Sequence, residues 1–333
     1  AITASQLSLY FRLQLRYSSL PASFIGLSML ITRARYTIVP TKSRPVLAYA
    51  LKSYYLRSNV HRWCTSFLIL LCEHLTPFRP SGTTALSHLP MISVCLATYN
   101  GAATLHQQLS SILAQLGPDD EVIISDDGST DGTLDVVRAF NNPIVRIVQG
   151  PGTGSPIPNF EHALQQARGE YIFLSDQDDL WLEGKVQRMV AVLEAGADCV
   201  VSDCHVTDDA LNVTAPSFFA HARLHEGRWY NLFMRNFYLG CCMAFNRRVL
   251  LRSLPFPRRI PMHDIWIGNI AAFTGRIEFL HEPLICFRRH GDNVSCTARK
   301  SPYSLWAKIK FRINILFPLI SRLCRRNPID SRP

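Results

Sequence analysis

The chain has 333 residues, 47% of them apolar, and a formal net charge of +10, which allows one large domain or two and gives ample material for a core. Its charge is unevenly laid out: residues 1–90 hold ten Lys and Arg against one acid, 91–298 hold 16 against 23, and 299–333 hold nine against one. An acidic middle between basic ends argues against the uniform basicity of a nucleic-acid binder and points to an acidic, metal-type site with a tail suited to an anionic membrane surface.

Residues 1–90 show no sustained helical or strand period and end in the linker-like Pro80-Ser81-Gly82-Thr83-Thr84. They read as an atypical basic extension, non-native or disordered, with Met91 the expected natural start; the alternative is a genuine membrane-associating region. From Met91 the pattern is βαβα, the signature of an α/β sheet. Strands are expected at Ile92–Ala97, Glu121–Ser125, Ile144–Val148, Tyr171–Leu174 and Cys199–Val201. Between them, Leu105, Leu109, Ile112 and Leu113 share a helical face, and helices are expected at Leu134–Phe140, Asn159–Ala167 and Glu183–Glu194. After Asp203 the period weakens, leaving helices at Arg228–Asn236 and His263–Phe273 and a basic amphipathic tail at Leu305–Leu323. The ten cysteines form no metal-ligand spacing and read as small buried hydrophobes of a reducing compartment. No apolar run reaches the length of a membrane span.

Two acidic clusters carry the chemistry. Asp126-Asp127-Gly128-Ser129 follows the apolar run Val122–Ile124, and Asp176-Gln177-Asp178-Asp179 follows Tyr171–Leu174. Ligands of open α/β sheets bind beyond the carboxyl ends of the strands. Carboxylates gathered there repel one another unless a cation lies between them. Asp176 and Asp178, two apart just past a buried strand, suit Mg²⁺ or Mn²⁺ carrying a diphosphate. The bland reading is that such acids are solvated or cap helices, as Thr130 or Asp131 would for the Leu134 helix.

Other motifs are weaker. A calcium loop at Asp127 fails, because Arg138 stands where its bidentate Glu belongs. Gly150–Ser155 lacks a third glycine, and Pro156 and Pro158 are expected to block a following helix, so it reads as a mobile loop. Tyr99 could stack on a base, though a structural aromatic is the default. His263-Asp264 and Arg288-Arg289-His290 lie in the irregular C-terminal part; there the arginines either neutralise phosphate or are solvated.

In order along the chain, Ala97-Thr98-Tyr99-Asn100-Gly101, Asp126-Asp127-Gly128-Ser129-Thr130-Asp131-Gly132-Thr133, Gly169-Glu170-Tyr171-Ile172 with Ser175–Trp181, and His263-Asp264-Ile265-Trp266 resemble glycosyltransferase family 2 over roughly Met91–Ser295. The Asp-Gln-Asp-Asp-x-Trp form and the late Arg-x-His-x-x-Asn segment look most like its bacterial rhamnosyltransferase-type branch, which builds O-antigen, capsule and other surface polysaccharides. The resemblance implies a GT-A fold over 91–298, with 1–90 outside it and 299–333 a basic tail. It implies that Thr98, Tyr99, Asp127 and Asp176 meet the nucleotide, that Asp176 and Asp178 hold the metal with His290 beside it, and that Asp264 is the catalytic base. The implied partners are a nucleotide-diphosphate sugar donor, dTDP-rhamnose by the branch resemblance, and a glycan or lipid-linked acceptor; no nucleic acid is expected. The implied location is cytoplasmic, peripheral at the inner face of the plasma membrane. One departure stands out: Pro158-Asn159-Phe160 occupies the place of the family's Arg-Asn pair. Competing classes are a sugar-phosphate nucleotidyltransferase, against which the absence of a basic residue in Tyr99–Ala103 argues, and a non-catalytic sugar-nucleotide binder.

Overall fold

The structure is a computed structural model that describes residues 90–289 and 304–324. The expectations for residues 1–90 and for His290 lie outside the described residues. Nine strands form one sheet. The first half is a parallel βαβ array: β1 (Ile92–Thr98), α1 (Ala102–Leu113), β2 (Glu121–Asp126), α2 (Thr133–Ala139), β3 (Val145–Gln149), α3 (Pro156–Gln166) and β4 (Tyr171–Ser175). Then come β5 (Leu180–Trp181), α4 (Lys185–Glu194), β6 (Cys199–Thr207), β7 (Val213–Ala215), α5 (Phe218–Ala222) and α6 (Arg228–Phe233). A 3₁₀ turn at Gly240–Cys242 leads into β8 (Met243–Asn246), α7 (Arg247–Ser253), α8 (His263–Thr274), β9 (Ile277–Arg288) and the tail helix α9 (Leu305–Cys324).

The strand order is β3-β2-β1-β4-β8-β6-β9-β5, with β7 pairing β6. β1 lies between β2 and β4, parallel to both. Its Val94, Cys95 and Leu96 expose no surface, which is why the strand reads as a continuous apolar run rather than an alternating one. Truncating Leu96 to Ala there would cost about 2–5 kcal/mol. Because β1, β2 and β4 run the same way, Thr98, Asp126 and Ser175 all end at one rim of the sheet, as the acidic clusters require.

The structure departs from the expected elements in instructive ways. Pro156 opens α3 instead of blocking it: in the first turn the missing N–H has no intrahelical partner to lose and φ is already helical. α2 begins after Gly132 with no side-chain cap; Asp131 instead accepts hydrogen bonds from the backbone of Thr133 and of Ala102. Between β4 and β6 an antiparallel strand, β8, is inserted that the sequence pattern did not announce. β9 is likewise unannounced, because only its second half is continuously buried.

α8 packs against α3, α7 and α9. Trp266 is fully buried there, its indole N–H donating to the Ser253 carbonyl at 2.8 Å. α9 is fixed to the body by buried Ile315 and Leu319, by Arg322, which donates to the carbonyls of Arg252, Leu254 and Pro255, and by Arg312, which donates to the Met234 carbonyl at 2.7 Å. Among the described residues no helix is long and apolar enough to cross a membrane.

Candidate active site

The rim beyond β1, β2 and β4 is knitted together by the middle residue of the Asp-Gln-Asp run. Gln177 Oε1 accepts from Thr98 Oγ1 at 2.7 Å and from the Tyr99 backbone N–H at 2.9 Å, while its amide nitrogen donates to the Tyr99 carbonyl at 3.1 Å. A Cβ on Gly101 would lie 2.4 Å from Gln177 Oε1, so only glycine lets the β1 loop close over that side chain. Thr98 is thus buried with its hydroxyl turned inward, while Tyr99 keeps half of its surface open.

Asp127 is buried, and its two carboxylate oxygens accept from the Gly152 N–H at 2.8 Å and the Gly154 N–H at 2.7 Å. The segment expected to be a plain mobile loop is therefore held by one carboxylate. Charge-assisted bonds of this kind are worth about 1.5–3 kcal/mol each when buried. Neighbouring Asp126 is a turn residue: it accepts from the backbone N–H groups of Gly128 and Ser129.

Three carboxylates follow β4. Ligand-type oxygens of Asp176 and Asp179 lie with Cys241 Sγ in one group whose atoms are all within 4.8 Å of each other. Asp178, the other expected metal ligand, is not part of that group; its backbone carbonyl accepts from Arg288 Nε at 2.8 Å. Burial, the charges of Asp178 and Asp264, and Cys242 push the Asp176 carboxyl up to about 8. Burial and the charges of Asp178 and Asp176 hold Asp179 well above the usual carboxylate range. Its Oδ1 accepts from the Arg288 backbone N–H at 3.0 Å, and its Oδ2 is buried with no hydrogen-bond partner.

Asp264 stands in the first turn of α8, whose N-cap is Met262, so the capping role is not its own. Its Oδ1 accepts from the Ile265 N–H at 2.6 Å and its Oδ2 from the Gly240 N–H at 3.1 Å. Gly240 packs closely here: a Cβ there would lie 3.2 Å from His263 Nε2 and 3.3 Å from Asp264 Cβ, so a larger residue would push these neighbours by a few tenths of an ångström. The next residue, Cys241, is the thiol beside Asp176 and Asp179. One tight turn thus carries the Asp264 carboxylate on one residue and touches the acid cluster with the next. Burial pushes the Asp264 carboxyl up to about 7. His263, stacked on Phe160 with ring centroids 4.0 Å apart, is pushed down to about 3 by burial and is neutral at pH 7.

Two residues at this rim, Gln177 and Lys185, carry no signal in the sequence pattern, and the reading of Arg288 as phosphate-neutralising or solvated is corrected by the structure. Gln177 was passed over as the variable middle of an Asp-x-Asp. Lys185 is fully buried beneath the cluster, its ammonium donating to the Cys241 carbonyl at 2.8 Å and lying 4.9 Å from the Trp181 ring centroid; burial pushes its pKa down. Arg288 is neither solvated nor free to neutralise a ligand. Besides Asp178, it donates to Gln107 Oε1 at 2.9 Å and to the Asp209 carbonyl. A buried Lys inside an amphipathic helix and a buried Arg at a strand end leave no mark in a hydrophobic pattern.

Comparison with known proteins bears on the family and the fold. Residues 93–254 match the family described as Glycosyl transferase family 2. The chain is 26% identical over 223 residues to the putative teichuronic acid biosynthesis glycosyltransferase TuaG of Bacillus subtilis, covering 65% of this chain and 86% of that one. It is 23% identical over 216 residues to the dTDP-rhamnosyl transferase RfbG of Shigella flexneri, covering 60% and 72%. Among solved structures, S. aureus TarS 1–349 in complex with UDP-GlcNAc superposes with a TM-score of 0.54 at 20% identity, covering 68% of this chain and 66% of that one, a likeness of fold. With its acid-rimmed parallel half-sheet and antiparallel second half, the chain has the GT-A fold, and residues 93–254 form a domain of glycosyltransferase family 2.

Proposed function

We propose that residues 91–298 form an inverting, divalent-metal-dependent transferase acting in surface polysaccharide synthesis. It moves a sugar, rhamnose in this reading, from a nucleotide-diphosphate donor to a glycan or lipid-linked acceptor at the inner membrane surface. The observation that carries the reading is the Gly240-Cys241 turn, which sets the Asp264 carboxylate beside the Asp176–Asp179 cluster. Single displacement needs these two functions close together: acids facing the leaving diphosphate, and a base on the acceptor side of the anomeric carbon.

The residues fit a hard cation. Carboxylate oxygens suit Mg²⁺ and Mn²⁺, one buried carboxylate oxygen of Asp179 lacks a partner, and the Asp176 carboxyl is raised first by burial and then by the charges of Asp178 and Asp264, a repulsion that a cation would relieve. The Cys241 thiol is the one soft member of the Asp176–Asp179–Cys241 group and is not needed as a ligand. Asp176 and Asp178 would hold the ion, which supplies neutralisation of charge on the departing diphosphate. His290 is proposed as a further neighbour of the diphosphate. Tyr99 offers an open ring to the base, with Thr98 and Asp127 shaping the walls of that pocket. Asp264 takes the acceptor hydroxyl proton while that oxygen attacks the anomeric carbon from the face opposite the diphosphate, so configuration inverts. A base with pKa near 7 is well matched to that task at neutral pH.

The test is a thermal-shift and turnover screen of the full chain with dTDP-rhamnose, UDP-sugars and GDP-sugars, with and without Mn²⁺. A true donor at 100-fold its Kd stabilises by about 2.7 kcal/mol, and this shift should require the metal. A donor that binds equally well in EDTA would sink the metal-dependent reading. Release of nucleoside diphosphate with no sugar delivered to any acceptor supplied would sink the transferase reading.

A further inference from the structure

α9 is apolar on two sides. Its inner side buries Ile315 and Leu319 against the body. On the opposite side Trp306, Ile309, Ile313, Phe317 and Ile320 recur at intervals of three and four, a stripe along one helical face about 21 Å long at 1.5 Å per residue. These side chains are exposed, Trp306 by 81% and Phe317 by 65%. A soluble surface scatters such residues singly; a contiguous stripe marks an interaction site.

The charges around the stripe decide what covers it. α9 contains no acid. Lys308 and Lys310 are exposed in its first turns. A groove of ≈ 290 Å³ runs beside the stripe, with Arg258 and Arg259 on one wall and Ile313 and Phe317 on the other. Arg312 and Arg322 turn inward to backbone carbonyls and so serve as anchors for the helix. An apolar face with aromatics, rimmed by cations and unrelieved by acids, is the composition of a helix lying in the headgroup layer of an anionic bilayer.

We infer that the outer face of α9, with Arg258 and Arg259, is a docking surface for an anionic lipid bilayer, seated with the helix parallel to the membrane plane. The assignment rests on the peripheral placement proposed above but not on the transfer chemistry. It also links surface to site. The Arg322 guanidinium lies 5.7 Å from the ring centroid of Trp266, two residues beyond Asp264 on α8. A bilayer held by α9 would therefore lie near the helix that carries the proposed base, where a lipid-linked acceptor must present its hydroxyl.

The test is flotation of the full chain with phosphatidylcholine vesicles, with and without about one third phosphatidylglycerol, the fraction chosen to set a surface charge. Wild type should bind the anionic vesicles and be released by high salt. Trp306→Ser with Phe317→Ser should lower the partition coefficient at least ~30-fold. Arg258→Gln, Arg259→Gln, Lys308→Gln and Lys310→Gln together should weaken anionic binding by about fivefold per charge and leave the core untouched. In each variant the metal-dependent thermal shift by donor should persist, which separates failure of docking from failure of the transferase site. Unchanged vesicle binding by both variants overturns the inference. So does a wild-type dimer that the aromatic pair dissolves without change in vesicle binding, because the stripe is then a protein interface.

Discussion

Replacing Asp264 by Asn separates a base from a bystander in two independent measurements. The substitution keeps size and one hydrogen-bond acceptor, but its amide NH₂ must face either the Gly240 or the Ile265 N–H, which costs about 1–3 kcal/mol. Against this, the native carboxyl titrates at about 7 in the folded chain rather than 3.8. At ~1.36 kcal/mol per unit, holding it ionised costs the fold up to about 4 kcal/mol above pH 7. That is an upper bound, because Asp264 retains contact with solvent. The sign follows from linkage. The folded pKa lies above the unfolded one, so the stability this group allows is fully present below pH ~4 and is lost as pH rises to ~7. Urea unfolding of wild type and Asp264→Asn should therefore show a gap that shifts in favour of the variant across that window and is flat above it. Turnover should fall at least ~10², and the wild-type rate should show a rising limb near pH 7 that the variant lacks. Donor affinity should survive. Near-normal turnover in the variant, or a stability gap independent of pH, would refute the assignment.

Asp178→Ala should abolish the Mn²⁺-dependent thermal shift by donor while leaving the apo melting temperature within a few degrees. Asp127→Ala frees the Gly152 and Gly154 N–H groups; it should weaken nucleotide binding by roughly tenfold or more and raise amide exchange in Gly150–Ser155, with metal affinity unchanged. Arg288→Gln removes a buried guanidinium bonded to the backbone carbonyls of Asp178 and Asp209 and to Gln107, and should cost about 1–3 kcal/mol in chemical denaturation; an exposed, replaceable arginine would cost under ~0.5 kcal/mol.

The first half of the sheet could be read from sequence because β1, β2 and β4 are buried apolar runs, β2 and β4 of them closed by acids, and each helix has one apolar face. β1, β2 and β4 lie within a residue or two of their expected spans, and the rim location of both acidic clusters follows from their parallel direction. The second half was hidden because its pairings are non-local and its strands are mixed. β8 is four residues long, and β9 alternates between exposed and buried stretches. Nothing in Gly240-Cys241-Cys242 signals that this turn would join Asp264 to the acids; that link exists only once β8 has entered the sheet. Gln177 carries no sequence signal, and the reading of Arg288 as phosphate-neutralising or solvated fails, for a related reason: each acts through long-range hydrogen bonds, and a period of 2 or 3.6 carries no trace of them.

The insertion of β8 also orders events during synthesis. β4 pairs β8 with Tyr171 opposite Asn246, and β5 pairs β9 with Leu180 opposite Cys286. The parallel half-sheet can condense from contacts close in sequence, but one edge of β4 stays unpaired until the chain has grown by some seventy residues. At about 5–20 residues per second this takes on the order of 4–15 s, during which an apolar strand edge is open to wrong partners. The nascent chain thus passes through a stage in which the nucleotide side has formed and the base has not yet arrived. Chaperone demand should be concentrated in that interval, and pausing within codons 176–242 should lower soluble yield more than pausing elsewhere in the domain.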